Sequence, residues 1–415
     1  MTSVRQGYKK TDVGIIPEGW EVNTIKSVTH VATGGTPSTA NPEFWIAEIP
    51  WMRSGDIHKK VIRDVKGRIS KLGLNASAAT LLPKNCVLIA LAGQGKTRGT
   101  VAINEIELST NQSIASIYPA SEYCSKYLYY YLDSQYFGLR SMSQGDGGRG
   151  GLNISIINKI KFPCPNVAEQ KEIAAALSDI DALIEAKEAL LEKKRAIKLG
   201  AMQELLTGKK RLLGFPVTPM KHTEVGEIPE DWDLKKLEQV AYYPKEREVA
   251  SYMDANSYVS CENMVKNRRG VNFPGTPPLT GSAGKYSQGD ILIGNIRPYL
   301  KKVWCSDKSG SHSMDVLCIH PLIDNAFLYH VLSTDAFFLY IMSAIKGTKM
   351  PRGDRYHVLQ YNLPVPSSQE EQRCIAAALS DMDSEIESLE QEIAKLRDLK
   401  QGMMQNLLTG RIRLV

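Results

Sequence analysis

The chain contains itself twice. VGIIPEGW (Val13–Trp20) returns as VGEIPEDW (Val225–Trp232), identical at six of eight positions. EQKEIAAALSDID (Glu169–Asp181) returns as EQRCIAAALSDMD (Glu371–Asp383), and MQELLTG (Met202–Gly208) as MQNLLTG (Met404–Gly410). Over the 44 aligned positions 169–212 and 371–414 there are 25 identities, which marks a duplication. Between the matched ends, similarity falls to a faint skeleton. A shared frame carrying two different inserts suggests two versions of one job with two specificities.

The duplicated end predicts a long helix. In the second copy Ile375, Leu379, Met382, Ile386, Leu389, Ile393 and Leu396 alternate at spacings of four and three, a heptad seam. The first copy offers Ile173, Leu177, Ile180, Ile184 and Leu191, with Lys187 and Lys194 where the second has Leu389 and Leu396. Asn166 and Ser367 stand as N-cap candidates, three residues before Glu169 and Glu370. Gly208 and Gly410 suit left-handed C-caps. Each helix would run roughly 40 residues, about 60 Å. If the two seams pair within the chain, they pair antiparallel. The expected fold is therefore mixed α/β, with two globular domains separated by an antiparallel coiled coil and related by a pseudo-two-fold axis. The expected domains are 1–165 and 213–366, with spacer helices at 166–212 and 367–415. A two-fold pair of domains at fixed separation suits a reader of two DNA half-sites.

Composition narrows the alternatives. Hydrophobic residues are 43% and charged residues 23%, ordinary for a folded soluble protein. The longest apolar run, Val87–Gly93, is too short to span a bilayer, and the N-terminus shows no apolar signal region. Seven scattered cysteines without a CxxC motif read as reduced thiols in a cytoplasm. Residues 1–212 hold 28 Lys and Arg against 20 Asp and Glu, whereas residues 213–415 hold 23 against 25. Contacts to nucleic acid must therefore come from local clusters.

Three motifs imitate chemistry. LIALAGQGKT (Leu88–Thr97) lacks the first P-loop glycine, because Ala90 stands there, and is followed by β-branched residues where a helix is required. GDGGRG (Gly145–Gly150) satisfies G-x-G-x-x-G outside a strand–turn–helix context. NPEFW (Asn41–Trp45) is similar to the NPPF-type motif of amino methyltransferases, with Glu43 replacing the second proline. No catalytic constellation and no metal-ligand spacing is found. The aromatic helices SKYLYYYLDSQYFG (Ser125–Gly138) and NAFLYHVLSTDAFFLYIM (Asn325–Met342) read as core.

What remains is two basic, glycine-punctuated loops per half. They are Gly93–Gly99 and Gly145–Gly151 in the first, Gly294–Lys302 and Lys346–Arg355 in the second. The first loop of each half joins two β-rich runs and would tip a hairpin. Glycine lets backbone approach phosphate, and Arg forks onto guanine or phosphate. Lys96, Arg98, Arg149, Arg297, Lys301, Lys302, Arg352 and Arg355 are the residues expected to face DNA. Two other readings stay open on these residues alone: a coiled-coil scaffold that binds no DNA, and a P-loop ATPase.

In combination, IPEGW and IPEDW, TGGTPS (Thr33–Ser38), IPWMRSGDI (Ile49–Ile57), TNQS (Thr110–Ser113), GDILIGNIRPYLKK (Gly289–Lys302) and the paired EQ…IAAALSD…LLTG helices resemble the specificity (S) subunit of Type I restriction-modification enzymes. The resemblance covers nearly all of the chain. It implies two target recognition domains, each reading one part of a split double-stranded DNA site, and adds Thr36, Ser38 and Arg53 to the DNA-facing set. It implies a non-catalytic subunit whose spacer helices bind two methyltransferase subunits. S-adenosylmethionine would sit on those partners and ATP on separate restriction subunits, with no cofactor in this chain. TGGTPS has no clear counterpart after Trp232, so the two recognition domains are expected to be of different subtypes.

Overall fold

The computed structural model describes residues 5–46, 48–93, 95–142, 151–345 and 351–414. The chain divides into two compact units. The first comprises 1–188 with 392–415, and the second 189–391. The first unit is thus closed by residues from the far end of the sequence.

Its centre is a five-stranded sheet in the order Val31–Thr33, Ile114–Ile117, Val87–Ala90, Val101–Asn104, Val61–Ile62. The middle strands are buried on both faces, which is why they read as continuous apolar runs. Successive side chains point to opposite faces. Val87 and Ile89 meet Tyr127 and Leu128 of the helix Ser125–Ser134, while Leu88 and Ala90 meet Met52, Ile57 and Ile62. Tyr127, Tyr129, Tyr130 and Tyr131 are core, as expected of this aromatic helix. Phe137 departs from that expectation and is 83% exposed, because a new short helix, Tyr136–Ser141, begins there and turns it outward.

The second unit repeats the scheme with its own residues. One sheet has the order Ala241–Tyr242, Val316–Pro321, Ile291–Gly294, Val303–Cys305. Ile291 and Ile293 face the aromatic helices Asn325–Leu332 and Asp335–Ser343, while Leu292, Val316 and Cys318 face a smaller cluster with Val259 and Tyr286. A further four-stranded sheet follows the order Arg247–Val249, Ser282–Tyr286, Gly310–His312, Tyr258–Val259.

The two long helices are Val167–Leu205 and Gln369–Leu407, of 39 residues each. The Asn166 side chain accepts the Glu169 N–H at 2.9 Å. In the second helix the cap is one residue later than the sequence suggests. Ser368 accepts from Glu371, while Ser367 donates its hydroxyl to the Asp231 carbonyl. Seam residues Ile173, Leu177, Ile180, Ile184, Leu191, Ile375, Leu379, Leu389 and Ile393 are buried; Met382, Ile386 and Leu396 are half-buried. Within each unit the helical segments run antiparallel. In the first unit Lys187 pairs with Glu392 at 2.7 Å and Lys400 with Asp181 at 2.6 Å. In the second, Lys194 pairs with Glu385 at 2.5 Å, and Lys198 with Asp383. The two lysines that interrupt the apolar seam therefore each meet a glutamate.

The motifs kept in both copies meet in space, once per unit. In the first unit the Trp20 indole donates to buried Glu169 at 3.1 Å, and Arg413 forks onto the same carboxylate over the Trp20 ring. Gly410, at φ +68°, lies so close to Pro17 that a Cβ would stand 2.5 Å from its ring. In the second unit Trp232, Glu371, Arg211, Gly208 and Pro229 build the same cluster. Conservation of the ends between the two halves follows from this junction, where a buried carboxylate requires both its donors.

Among the described residues no single helix is long and apolar enough to cross a membrane, and no His, Cys, Asp and Glu group could hold a metal ion. The P-loop-like segment runs from strand Val87–Ala90 into strand Val101–Asn104, with no helix among the described residues between them to receive a phosphate.

Candidate nucleic-acid interface

Most of the basic residues singled out in the first half lie at one end of its central sheet. Strand Val87–Ala90 ends there, and Leu91 donates to the Ser113 carbonyl at 2.8 Å. Asn111 donates to Met52 at 3.1 Å, which brings the 110–113 turn beside Arg53. Arg53 stands over the Trp51 ring. The glycine pair of TGGTPS lets that loop press onto the same turn: a Cβ on Gly34 would fall 1.9 Å from the Thr110 carbonyl oxygen. Thr36 is thereby placed to donate its hydroxyl to Gln112 Oε1 at 2.5 Å. Ser38 is exposed; its carbonyl receives the Trp45 indole N–H at 3.1 Å, and its hydroxyl accepts the Ala40 N–H.

The hairpin loop that follows carries exposed Lys96 and half-buried Arg98. It is braced from below. Tyr136 donates to the Lys96 carbonyl at 2.9 Å, Arg140 to the Gly95 carbonyl at 2.6 Å, and His58 meets Thr97 at 3.1 Å. Leu152, just after the second glycine-rich loop, donates to Leu91. Arg149 lies outside the described residues.

The second unit reproduces this hydrogen-bond scheme. Asn295 donates to Asp315 at 2.9 Å as Leu91 does to Ser113, and Ser313 to Val259 at 2.8 Å as Asn111 does to Met52. Both turns close alike, Ile114 onto Asn111 and Val316 onto Ser313. The apex residue is exposed in both: Gln112 in one unit, Met314 in the other. The hairpin loop is Asn295–Lys302, and segment 351–355 is zipped against it. Ile296 bridges Arg352, Arg297 donates to the Pro351 carbonyl at 2.9 Å, and the Asn295 amide bonds both the N–H and the carbonyl of Gly353 at 3.1 Å.

The cations of this loop differ in their surroundings. Lys301 pairs with Asp335 at 2.8 Å, where Arg268 also binds; these contacts hold the Asp335 carboxyl below its ordinary pKa. Lys302 turns its ammonium inward to the Cys261 carbonyl. Arg352 meets Asp315 at 2.8 Å. Arg355 packs over the Tyr243 ring at 5.1 Å. Arg297 is exposed and sits at φ +53°, and Lys301 at φ +50°. Left-handed backbone of this kind costs a non-glycine residue about 1 kcal/mol or more. Gln112 and Asp315 escaped sequence reasoning, since only the folded turn sets them beside Thr36 and Arg352. Charge is uneven between units: 26 Lys and Arg against 20 Asp and Glu in the first, 25 against 25 in the second.

The model of the Type I restriction modification DNA specificity domain matches this chain twice, over residues 17–193 and 229–398. The chain belongs to that family. Among relatives of this DNA specificity family, the Type I restriction enzyme MjaIX specificity subunit of Methanocaldococcus jannaschii is 32% identical over 242 residues. That match takes in 55% of this chain and 53% of the relative. The MjaVIII specificity subunit of the same organism is 26% identical over 440 residues, 100% of this chain and 99% of the relative. The chain thus spans about half the length of the first relative and nearly all of the second. Among solved structures, the Type I restriction-modification S subunit from M. genitalium shares the fold at a TM-score of 0.60 and 16% identity, over 94% of this chain and 96% of that one. The specificity-domain matches fall one in each half, as the duplication predicts.

Proposed function

We propose that this chain is the DNA-reading subunit of a Type I restriction-modification complex, in which each unit reads one part of a split target. One observation carries the reading: two family-matched units each present a hairpin loop bearing Lys and Arg and a four-residue turn at the matching end of their own central sheet. The chain itself is non-catalytic in this account. Two methyltransferase subunits dock on the long helices and bring S-adenosylmethionine; restriction subunits, where present, bring ATP-driven cleavage. The long helices fix the distance between the two readers as an antiparallel spacer. Within the two units, Thr36, Ser38, Arg53, Lys96, Arg98, Arg149, Arg297, Lys301, Lys302, Arg352 and Arg355 are the DNA-facing candidates, and working in the cytoplasm is part of the proposal. The test is single-molecule sequencing of genomic methylation in cells that hold the methyltransferase subunits with or without this chain. One bipartite sequence should be methylated only when the chain is present. Methyl transfer by the purified chain alone, or methylation indifferent to it, would defeat the proposal.

A further inference from the structure

The fold of the second unit sorts its loop cations. Lys301 and Lys302 are half-buried, one against Asp335 and the other on the Cys261 carbonyl. Arg297, Arg352 and Arg355 are exposed, and of these Arg355 lies over the Tyr243 ring. We infer that the other two divide the reading of one half-site: Arg352, held by Asp315, reads a guanine edge in the major groove, and Arg297 contacts a backbone phosphate. The inference rests on the DNA-reading proposal above.

Arg297 is distinguished first by its backbone. The matching bonds Leu91 to Ser113 and Asn295 to Asp315 make residue 297 the equivalent of Gly93 in the first unit, two positions later in each. Gly93 has φ +131° and Arg297 φ +53°. Glycine adopts such angles without strain, and the first unit uses it. The second unit keeps an arginine there, whose side chain has no hydrogen bond or ion pair among the described residues. A strained residue with no side-chain partner among the described residues is available to act on something outside the chain. Its backbone is fixed by Pro351 and by buried Pro298, yet its guanidinium is unbraced. A phosphate accepts a guanidinium from many directions, so an unbraced one suffices.

Arg352 is arranged the other way. Its Nη2 stands 2.8 Å from Asp315 Oδ1, and the Asp315 backbone is itself tied by the Asn295 N–H. Base readout needs a guanidinium fork held in orientation by a supporting group. Asp315 engages one nitrogen and leaves the rest of the fork for the O6 and N7 of guanine. The same carboxylate offsets the charge, so this arginine contributes direction more than counterion release.

The experiment uses the full chain assembled with its methyltransferase subunits, with DNA binding measured at several salt concentrations and methylated sites mapped. Arg297→Gly keeps the left-handed backbone and should not lower the melting temperature. It should weaken cognate and altered sites alike, make the slope of log affinity against log salt shallower by about one, and leave the methylated sequence unchanged. Arg352→Ala should relax one position of one half-site, with discrimination there falling about tenfold to a hundredfold and the salt slope kept. Asp315→Asn, which retains the arginine, should relax the same position, as a positioning residue does. The inference is overturned if Arg297→Gly changes the methylated sequence, if Arg352→Ala weakens all sites alike, or if these variants change nothing. An unsubstituted chain that selects no sequence would instead sink the DNA-reading proposal.

Discussion

Residues at matched positions of the two units show how one frame accepts different chemistry. Tyr130 of the first unit donates to Ser178 at 3.3 Å; at the same place in the second unit His330 meets Ser380 at 3.1 Å. Burial, with Lys198 nearby, pushes the His330 pKa from 6.5 down to about 4. A histidine with a depressed folded pKa is neutral in the native state and takes up a proton on unfolding. Its stabilising contribution is full above about pH 6.5 and is lost as pH falls towards 4, by up to about 3 kcal/mol. Denaturant unfolding of the second unit at pH 7 and pH 5 should reveal this loss, and His330→Tyr, which copies the first unit, should remove it. An equal pH dependence in the variant would refute the assignment. At this scale the sequence was least informative. Nothing near Lys302 in sequence announces its bond to the Cys261 carbonyl, and the Asp315 carboxylate beside Arg352 is 37 residues away in sequence.

Elements were far more legible. The heptad spacing, the Asn166 cap and the C-terminal glycines foretold the two long helices almost to their ends, because local periodicity and capping decide them. The strands were also visible as apolar runs. What could not be seen was pairing: which loops share one end of the sheet depends on contacts distant in sequence. Lys187 and Lys194 looked like flaws in the seam for the same reason, since Glu392 and Glu385 lie about two hundred residues on. Such surface pairs contribute little stability but favour one register. If the helices set the separation of the readers, one heptad added to both, in register, moves them about 10 Å apart. At 3.4 Å per base pair the unmethylated spacer of the target should lengthen by roughly three base pairs. Three base pairs also rotate one half-site by nearly a third of a turn, so activity should fall. Methylation mapping that finds the original spacing would rule the ruler out.

For the whole molecule, duplication means that the inserts are separable from the frame. Replacing residues 216–364 with the corresponding segment of another family member should change one half-site and leave the other half-site and the spacer alone. Altered methylation at both halves would contradict this. The duplication itself was plain in the sequence, whereas the make-up of the first unit from 1–188 and 392–415 was not. That make-up bears on how the protein is born. On a ribosome, residues 1–188 emerge first but lack Met403, Met404, Leu407, Leu408 and Arg413, which pack on their core and on Glu169. Residues 189–391 are contiguous and complete as soon as they leave the exit tunnel. The unit that comes second in the sequence can therefore finish folding first, while the earlier one waits, with Glu169 lacking its arginine, until the residues that close it have been translated.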